Sequence, residues 1–239
     1  MEWSDEGVVL SVRPHGETAA VLELFTHTHG RHLGLVHGGR SRKLRPVLQT
    51  GNHINATWKA RLADNLGHFN VELRRGFAAL LMEDAAALAA MTSMAALARL
   101  LPERDPHPSL FEITLFVLGY LDDRAVWPAL MVRWELALLD ELGFGLDLAR
   151  CAATGETQNL IYVSPKSGRA VSAEAGGPYK ERLLVLPSFL RGTAGVVGRE
   201  EILAGLALTG HFLEARALGP VGLGMPEARA RLVTYLRQA

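Results

Sequence analysis

The chain has 239 residues and a mass of 26.0 kDa; 49% of the residues are apolar and 21% charged. That is ample for a packed core and excludes a disordered chain, while a single cysteine, Cys151, excludes an internal disulfide framework and points to a reducing compartment. Net charge is zero, yet residues 1–78 carry ten Lys and Arg against seven Asp and Glu, and seven of the nine histidines lie in the first 68 residues, so the two parts of the chain suit different surroundings.

Met1 to Gly7 are acidic where a secretion signal is basic. The longest charge-free helical stretch, residues 85–98, falls short of the roughly 20 residues of a membrane span. A soluble cytoplasmic protein without membrane contact is expected.

Residues 8–73 read as β. Val8, Leu10 and Val12 alternate with Val9, Ser11 and Arg13 up to Pro14-His15-Gly16, and residues 20–26 resume the pattern before a turn at His29-Gly30. Residues 32–36 follow, closed by Gly38-Gly39; Val47-Leu48 open another segment. From His53 to Leu62 the alternation places Ile54, Ala56, Trp58, Ala60 and Leu62 on one face, and Phe69, Val71 and Leu73 make a last strand. About five short strands in roughly seventy residues fit a small barrel of the oligonucleotide-binding (OB) type.

From Gly76 the period changes to 3.6: Phe77, Leu80, Leu81, Ala85, Leu88 and Met91, with a break expected at Thr92-Ser93 and an end at Pro102. Further helices are expected over 109–121, 128–142, 181–191, 199–216 and 226–238, with a short strand at 160–163 inside a loop-like stretch. The expected class is α+β: an OB-type domain over 1–76, then a helical domain over 77–239 with an insertion at 150–178.

The run 31–61 contains Arg31, Arg40, Arg42, Lys43, Arg45, Lys59 and Arg61 and no acidic residue. Four of these cations crowd the segment Gly38 to Pro46, and Lys59 and Arg61, two apart, share a strand face. Such a field suits phosphates, which guanidinium groups pair bidentately. Trp58 and Phe69 fall on apolar faces and read as core, so backbone contacts are favoured over reading of bases.

Other motifs carry less. His27, His29 and His32 have no acid or thiol beside them in sequence and read as a polar hairpin tip, not a metal centre. No phosphate-binding P-loop, dinucleotide glycine motif, Gly-x-Ser-x-Gly or His-Glu-x-x-His is present, and no catalytic residue is expected. Asp122-Asp123 and Glu200-Glu201 read as solvent-facing helix ends, and Cys151 as an inert thiol. Cys151 and Thr154, separated by seventeen residues from Ser172 and Ala175, have the spacing of two zinc knuckles. With one thiol in four positions no zinc, and no other cofactor, is expected.

Four segments together resemble the RecO family of bacterial recombination mediators, over nearly the whole chain. They are His29-Gly30-Arg31 through Gly38-Gly39-Arg40-Ser41-Arg42; Leu101-Pro102-Glu103 to Pro106-His107-Pro108 with Leu110-Phe111; Glu135 to Gly143 leading to Leu146 and Cys151; and Val163-Ser164-Pro165 with Gly168 and Ala170. The resemblance implies an N-terminal OB domain, a helical domain and a zinc-ribbon-like insertion, here with its ligands lost. It implies a cytoplasmic, nucleoid-associated, non-enzymatic protein that binds single- and double-stranded DNA and anneals complementary strands. The implied protein partners are RecR and the acidic C-terminal tail of single-stranded DNA-binding protein (SSB), with RecA loaded indirectly. For that tail, Arg133 near Leu130 and Trp134, or Arg191 near Phe189 and Leu190, supply a cation beside apolar walls, and the last helix sets Leu232, Val233 and Leu236 against Arg229, Arg231 and Arg237. The alternative is an adaptor working through protein contacts, with a structural barrel and weak DNA binding.

Overall fold

In a computed structural model of the chain, residues 1–62, 64–192 and 197–238 are described. Two compact units are present: residues 1–122 with 226–232, and residues 123–225 with 233–239.

The first unit begins with five strands, β1 (Glu2–His15), β2 (Ala19–Thr26), β3 (Gly30–Val36), β4 (His53–Lys59) and β5 (His68–Arg75). They close in the order β1-β2-β3-β5-β4, with all pairings antiparallel except the β3–β5 contact at Leu35 and His68. This order is consistent with the expected OB-type barrel, and the α+β class stands. Its filling is Val9, Leu22, Leu24, Val36, Leu48, Ile54, Ala56, Trp58 and Phe69.

Two strand limits differ from the sequence reading. β1 starts at Glu2, six residues earlier than the apolar alternation suggests, because its first half pairs with β4 (Glu2 opposite Lys59, Trp3 opposite Trp58) and its second half with β2. No strand forms at Val47-Leu48. Residues 37–52 are successive turns, with Arg45 N–H donating to Ser41 O at 3.0 Å and Leu48 N–H to Leu44 O at 2.9 Å. β4 ends at Lys59, so Leu62 lies beyond the sheet and is exposed, whereas Ile54, Ala56 and Trp58 are buried as expected.

Helices follow: α1 (Phe77–Leu80), α2 (Ala85–Ala98) and α3 (Pro108–Gly119). The break falls at residues 81–84, not at Thr92-Ser93. Asp84 caps α2, its carboxylate accepting from the N–H groups of Ala86 and Ala87 at 3.0 Å each. Thr92 stays helical by donating its hydroxyl back to Leu88 O at 2.8 Å. Phe111 of α3 meets Phe25 of the barrel edge to face at 5.6 Å. Asn52 ties the long loop to α1: its amide donates to Pro46 O and Val47 O, and its side-chain oxygen accepts from Ala78 N–H. The β2–β3 hairpin turns at Gly30, whose φ is +63° and where a Cβ would run into the Asp105 backbone.

The second unit contains α4 (Trp127–Glu141), a three-stranded sheet of β6 (Leu160–Val163), β7 (Ala170–Ser172) and β8 (Leu184–Val185) in the order β7-β6-β8, the single turn α5 (Ala173–Gly176), and α6 (Arg199–Phe212). Trp127, Met131, Trp134 and Leu138 form the buried stripe of α4. α6 approaches closely at Gly205, where a Cβ would stand 2.8 Å from Val132. The helix expected over 181–191 is absent: Pro187 interrupts it, and 3₁₀ turns at Gly177–Arg182 and Ser188–Arg191 flank β8. α7 (Glu227–Gln238) ends the chain. Its Arg229, expected on the polar face, is buried together with Leu232.

Replacing Asp84 with Ala removes the side chain that satisfies two N–H groups of α2. We expect a stability loss of about 1 kcal/mol, read as a lower urea midpoint with an unchanged slope. An unchanged midpoint would show that the cap is replaced by solvent.

Candidate nucleic-acid interface

The basic segment forms an exposed loop between β3 and β4. Gly38 has a φ of +65°, and Arg40 N–H donates to Thr18 O at 3.1 Å, tying the loop to the β1–β2 turn. The Arg40 guanidinium donates to Gly16 O at 3.1 Å and Glu17 O at 2.9 Å, neutral acceptors that orient its charge without cancelling it. Arg42, Lys43 and Arg45 are exposed. Among the described residues no carboxylate forms an ion pair with Arg40, Arg42, Lys43 or Arg45. A groove of about 400 Å³ runs beside the loop, lined by Val12, Pro14, Ala20, Arg40, Arg45 and Gln49.

Lys59 and Arg61 line a second groove, of about 360 Å³, with Leu35, His37, Asn65 and His68. Lys59 meets Glu2 at 2.8 Å, both side chains exposed, so solvent screens the pair. Arg61 lies past the end of β4 and is exposed. His37 belongs to this groove and immediately precedes the basic loop, which makes the two grooves neighbours along the chain.

Arg31 is placed differently. Its side chain is 15% exposed and its guanidinium pairs with Glu23, which is 1% exposed. Glu23 also accepts from Ser11 Oγ at 2.8 Å and from Arg99 Nε at 2.9 Å, and Arg31 Nε donates to Leu101 O at 2.9 Å. Burial pushes the Glu23 carboxyl up. The hydrogen bonds from Ser11 and Arg31 and the charges of Arg99 and Arg31 outweigh it and hold the carboxyl below its usual value. Arg31 therefore bonds β3 to β2 and to the chain after α2, and its charge is already matched.

The histidines are not bare of acids in space. Asp5, from the far end of β1, accepts from Thr28 N–H and Thr28 Oγ at 2.8 Å each and lies 3.0 Å from His29 Nδ1. Burial works against the Asp5 carboxylate, but these bonds keep its pKa lowered. His27 stands 3.6 Å from Glu112, and His53 3.0 Å from Glu6, which also pairs with Arg74. Among the described residues no group of three or more His, Cys, Asp or Glu is placed to hold a metal ion.

One feature was not legible in the β pattern. Trp3 stacks on His29, with ring centroids 4.0 Å apart and planes 8° from parallel, and lies over Trp58 at 5.7 Å. His32 stands edge-on to Trp3 and Trp58 at 5.0 and 4.8 Å. Extending the alternation of β1 back through Trp3 and Asp5 is the signal that finds Trp3.

In the second unit, Arg133 Nη2 donates to Phe189 O at 2.9 Å and Arg191 Nη2 to Thr157 O at 2.6 Å. Trp134 and Phe189 are buried, so they are core and not walls of an open groove. At the four knuckle positions, Ser172 N–H donates to Cys151 Sγ at 3.3 Å, the two side chains are 3.5 Å apart, and Ala175 N–H donates to Ser172 Oγ at 3.4 Å. With one thiol, two hydroxyls and an alanine these positions do not fit a structural zinc.

Comparison with known proteins gives matches over nearly the whole chain. Residues 1–77 match the family model described as Recombination protein O N terminal, and residues 82–222 match Recombination protein O C terminal. The chain is 56% identical over 238 residues to the DNA repair protein RecO of Methylobacterium nodulans, covering 98% of this chain and 97% of that protein. It is 54% identical over 239 residues to the RecO of Methylorubrum extorquens (98% and 97%), and 54% identical over 243 residues to that of Rhodospirillum centenum (100% and 96%).

The Glu23 network sets a pH dependence. A carboxyl whose folded pKa is lowered contributes stability that is complete above its unfolded value, here about 4.5, and is lost as pH falls through the folded value. We expect Glu23→Gln to cost about 3 kcal/mol at pH 7, because two arginines lose their buried counter-ion. The gap between wild type and variant should narrow below about pH 4.5 in urea titrations. A gap that stays constant down to pH 2 would remove Glu23 as the source.

Proposed function

The chain belongs to the RecO family of DNA repair and recombination proteins, and on that premise we propose that it is a non-enzymatic mediator that holds DNA by its phosphates on the barrel. The observation that carries this reading is the loop at 38–46: four cations on an exposed segment, with no carboxylate paired to them among the described residues. Unmatched guanidinium and ammonium groups in water release counter-ions when they meet phosphates, which gives affinity without sequence preference. Lys59 and Arg61, in the neighbouring groove, extend the track. Arg31 is left out of it, because Glu23 already neutralises it.

Binding by the backbone leaves base edges free. Two strands held this way pair by their own complementarity, so annealing needs no nucleotide hydrolysis. In this reading the protein binds single- and double-stranded DNA, and with RecR it helps load RecA onto SSB-coated strands. The acidic SSB tail calls for a cation beside apolar surface, and Arg133 and Arg191 are the exposed cations of the second unit that the sequence offered. Each is now seen donating to a backbone carbonyl, which leaves its charge unmatched.

A second reading, an adaptor that acts through protein contacts, draws on one observation: Ile113 and Phe116 of α3 and Tyr120 just past its end are exposed. Salt separates the two readings.

We expect log affinity for a labelled single strand to fall linearly with log salt. Changing Arg40, Arg42, Lys43 and Arg45 all to Ala should flatten that slope by about three units, at roughly 0.7 per phosphate contact. A slope unchanged in a folded variant would move the DNA elsewhere, and absence of binding by the wild type would favour the adaptor.

A further inference from the structure

Beyond the phosphate track, the barrel carries a pocket of about 460 Å³ lined by Trp3, Thr28, His29, His32, Trp58 and Arg104, among others. That volume lies within the range of small-ligand sites. Its walls are rings: the Trp3–His29 stack, and Trp58 behind it. At its rim stands the guanidinium of Arg104. Arg104 has a φ of +63°, a costly conformation for a residue with a Cβ, and is held there by its N–H donating to Arg31 O at 2.8 Å. Among the described residues its guanidinium makes only long contacts, 3.4 Å to Asp64 and 3.4 Å to Asn65 O.

His32 supplies the second observation. It is 5% exposed, and neither ring nitrogen has a hydrogen-bond partner among the described residues. An orphaned buried polar group is expensive and calls for an explanation. Burial, with the nearby charges of Arg104 and His29, lowers its pKa to about 4, so the ring is neutral at physiological pH. A neutral imidazole offers one donor and one acceptor on nitrogens that point in divergent directions. Either one can bond a single donor or acceptor on a nucleobase edge.

We propose that this pocket takes one unstacked nucleobase of a bound single strand, with the base against the Trp3 ring, its edge on His32 and its phosphate at Arg104. The proposal rests on the DNA-binding reading above and names a separate site within it. Trp3 is only partly buried, and the incoming base takes the Trp3 face that His29 now covers, which turns its edge toward His32, edge-on to Trp3. Base–aromatic stacking accepts any base, so the pocket adds affinity without adding sequence preference.

The test compares a thymidine 12-mer with a 12-mer of the same phosphates whose sugars are abasic. The wild type should bind the thymidine strand at least about fivefold more tightly, the lower range for one stacked base. Trp3→Ala should abolish the preference and leave the salt slope intact. The four-residue loop variant should do the reverse, flattening the slope and keeping the preference. If Trp3→Ala fails to fold, Trp3→Phe and Arg104→Ala take its place, the second weakening both strands alike and the first retaining part of the preference. Equal binding of the two strands by the wild type overturns the pocket and leaves the phosphate track standing. Binding of neither strand overturns both.

Discussion

Closure of the five-strand sheet is the constraint on which the rest of the first unit depends. A sheet with an open edge leaves N–H and C=O groups unpaired, and closing it removes that edge. Here closure falls to β1, which must pair with β4 along its first half and with β2 along its second. One strand of 14 residues serves two neighbours, with the hand-over at Gly7 and Val8, and it changes register against β2 just beyond, between Val9 and Ser11. Everything at the start of β1 follows from that. Trp3 lands opposite Trp58, Glu2 opposite Lys59, and Asp5 comes within reach of the β2–β3 turn.

Closure also sorts the cations. The run 31–61 holds no acid in sequence, but the barrel brings acids to it from elsewhere. Glu23 takes Arg31 and Arg99, and Glu2 meets Lys59. These pairings differ in kind: the first is buried and binds strands together, the second is screened by water and weak. The loop at 38–46 escapes both, because it leaves the sheet between β3 and β4 and is anchored through backbone carbonyls and Asn52, not through carboxylates. Its charge remains available because its fold is held by neutral groups.

How much of this was legible depended on whether the signal was local. The alternation at Ile54, Ala56 and Trp58 and the 3.6 spacing of α4 are periodic facts of one segment, and they hold in three dimensions. The helix break was misread because Thr and Ser look like interruptions, yet Thr92 satisfies its hydroxyl within the helix while Asp84 takes the cap. The expected helix at 181–191 had apolar spacing but also Pro187, and a missing N–H outweighs a pattern. The site divides in the same way. Charge density on one loop can be counted from sequence. The neutralisation of Arg31, the burial of Phe189 and the meeting of Trp3 with His29 need residues far apart in the chain, and no single segment encodes them.

A mediator faces two demands that pull against each other. It must hold a strand firmly, and it must leave that strand able to pair. A row of aromatic platforms would meet the first demand and defeat the second, since each stacked base is withheld from its complement. Point charges on a loop meet both, because phosphates carry no pairing information. One aromatic pocket at the start of β1 is compatible with this logic where several would not be. With the proposed occupant it would withhold a single base and leave its neighbours on the proposed charged track, so the strand would gain a fixed point without losing its readable edge.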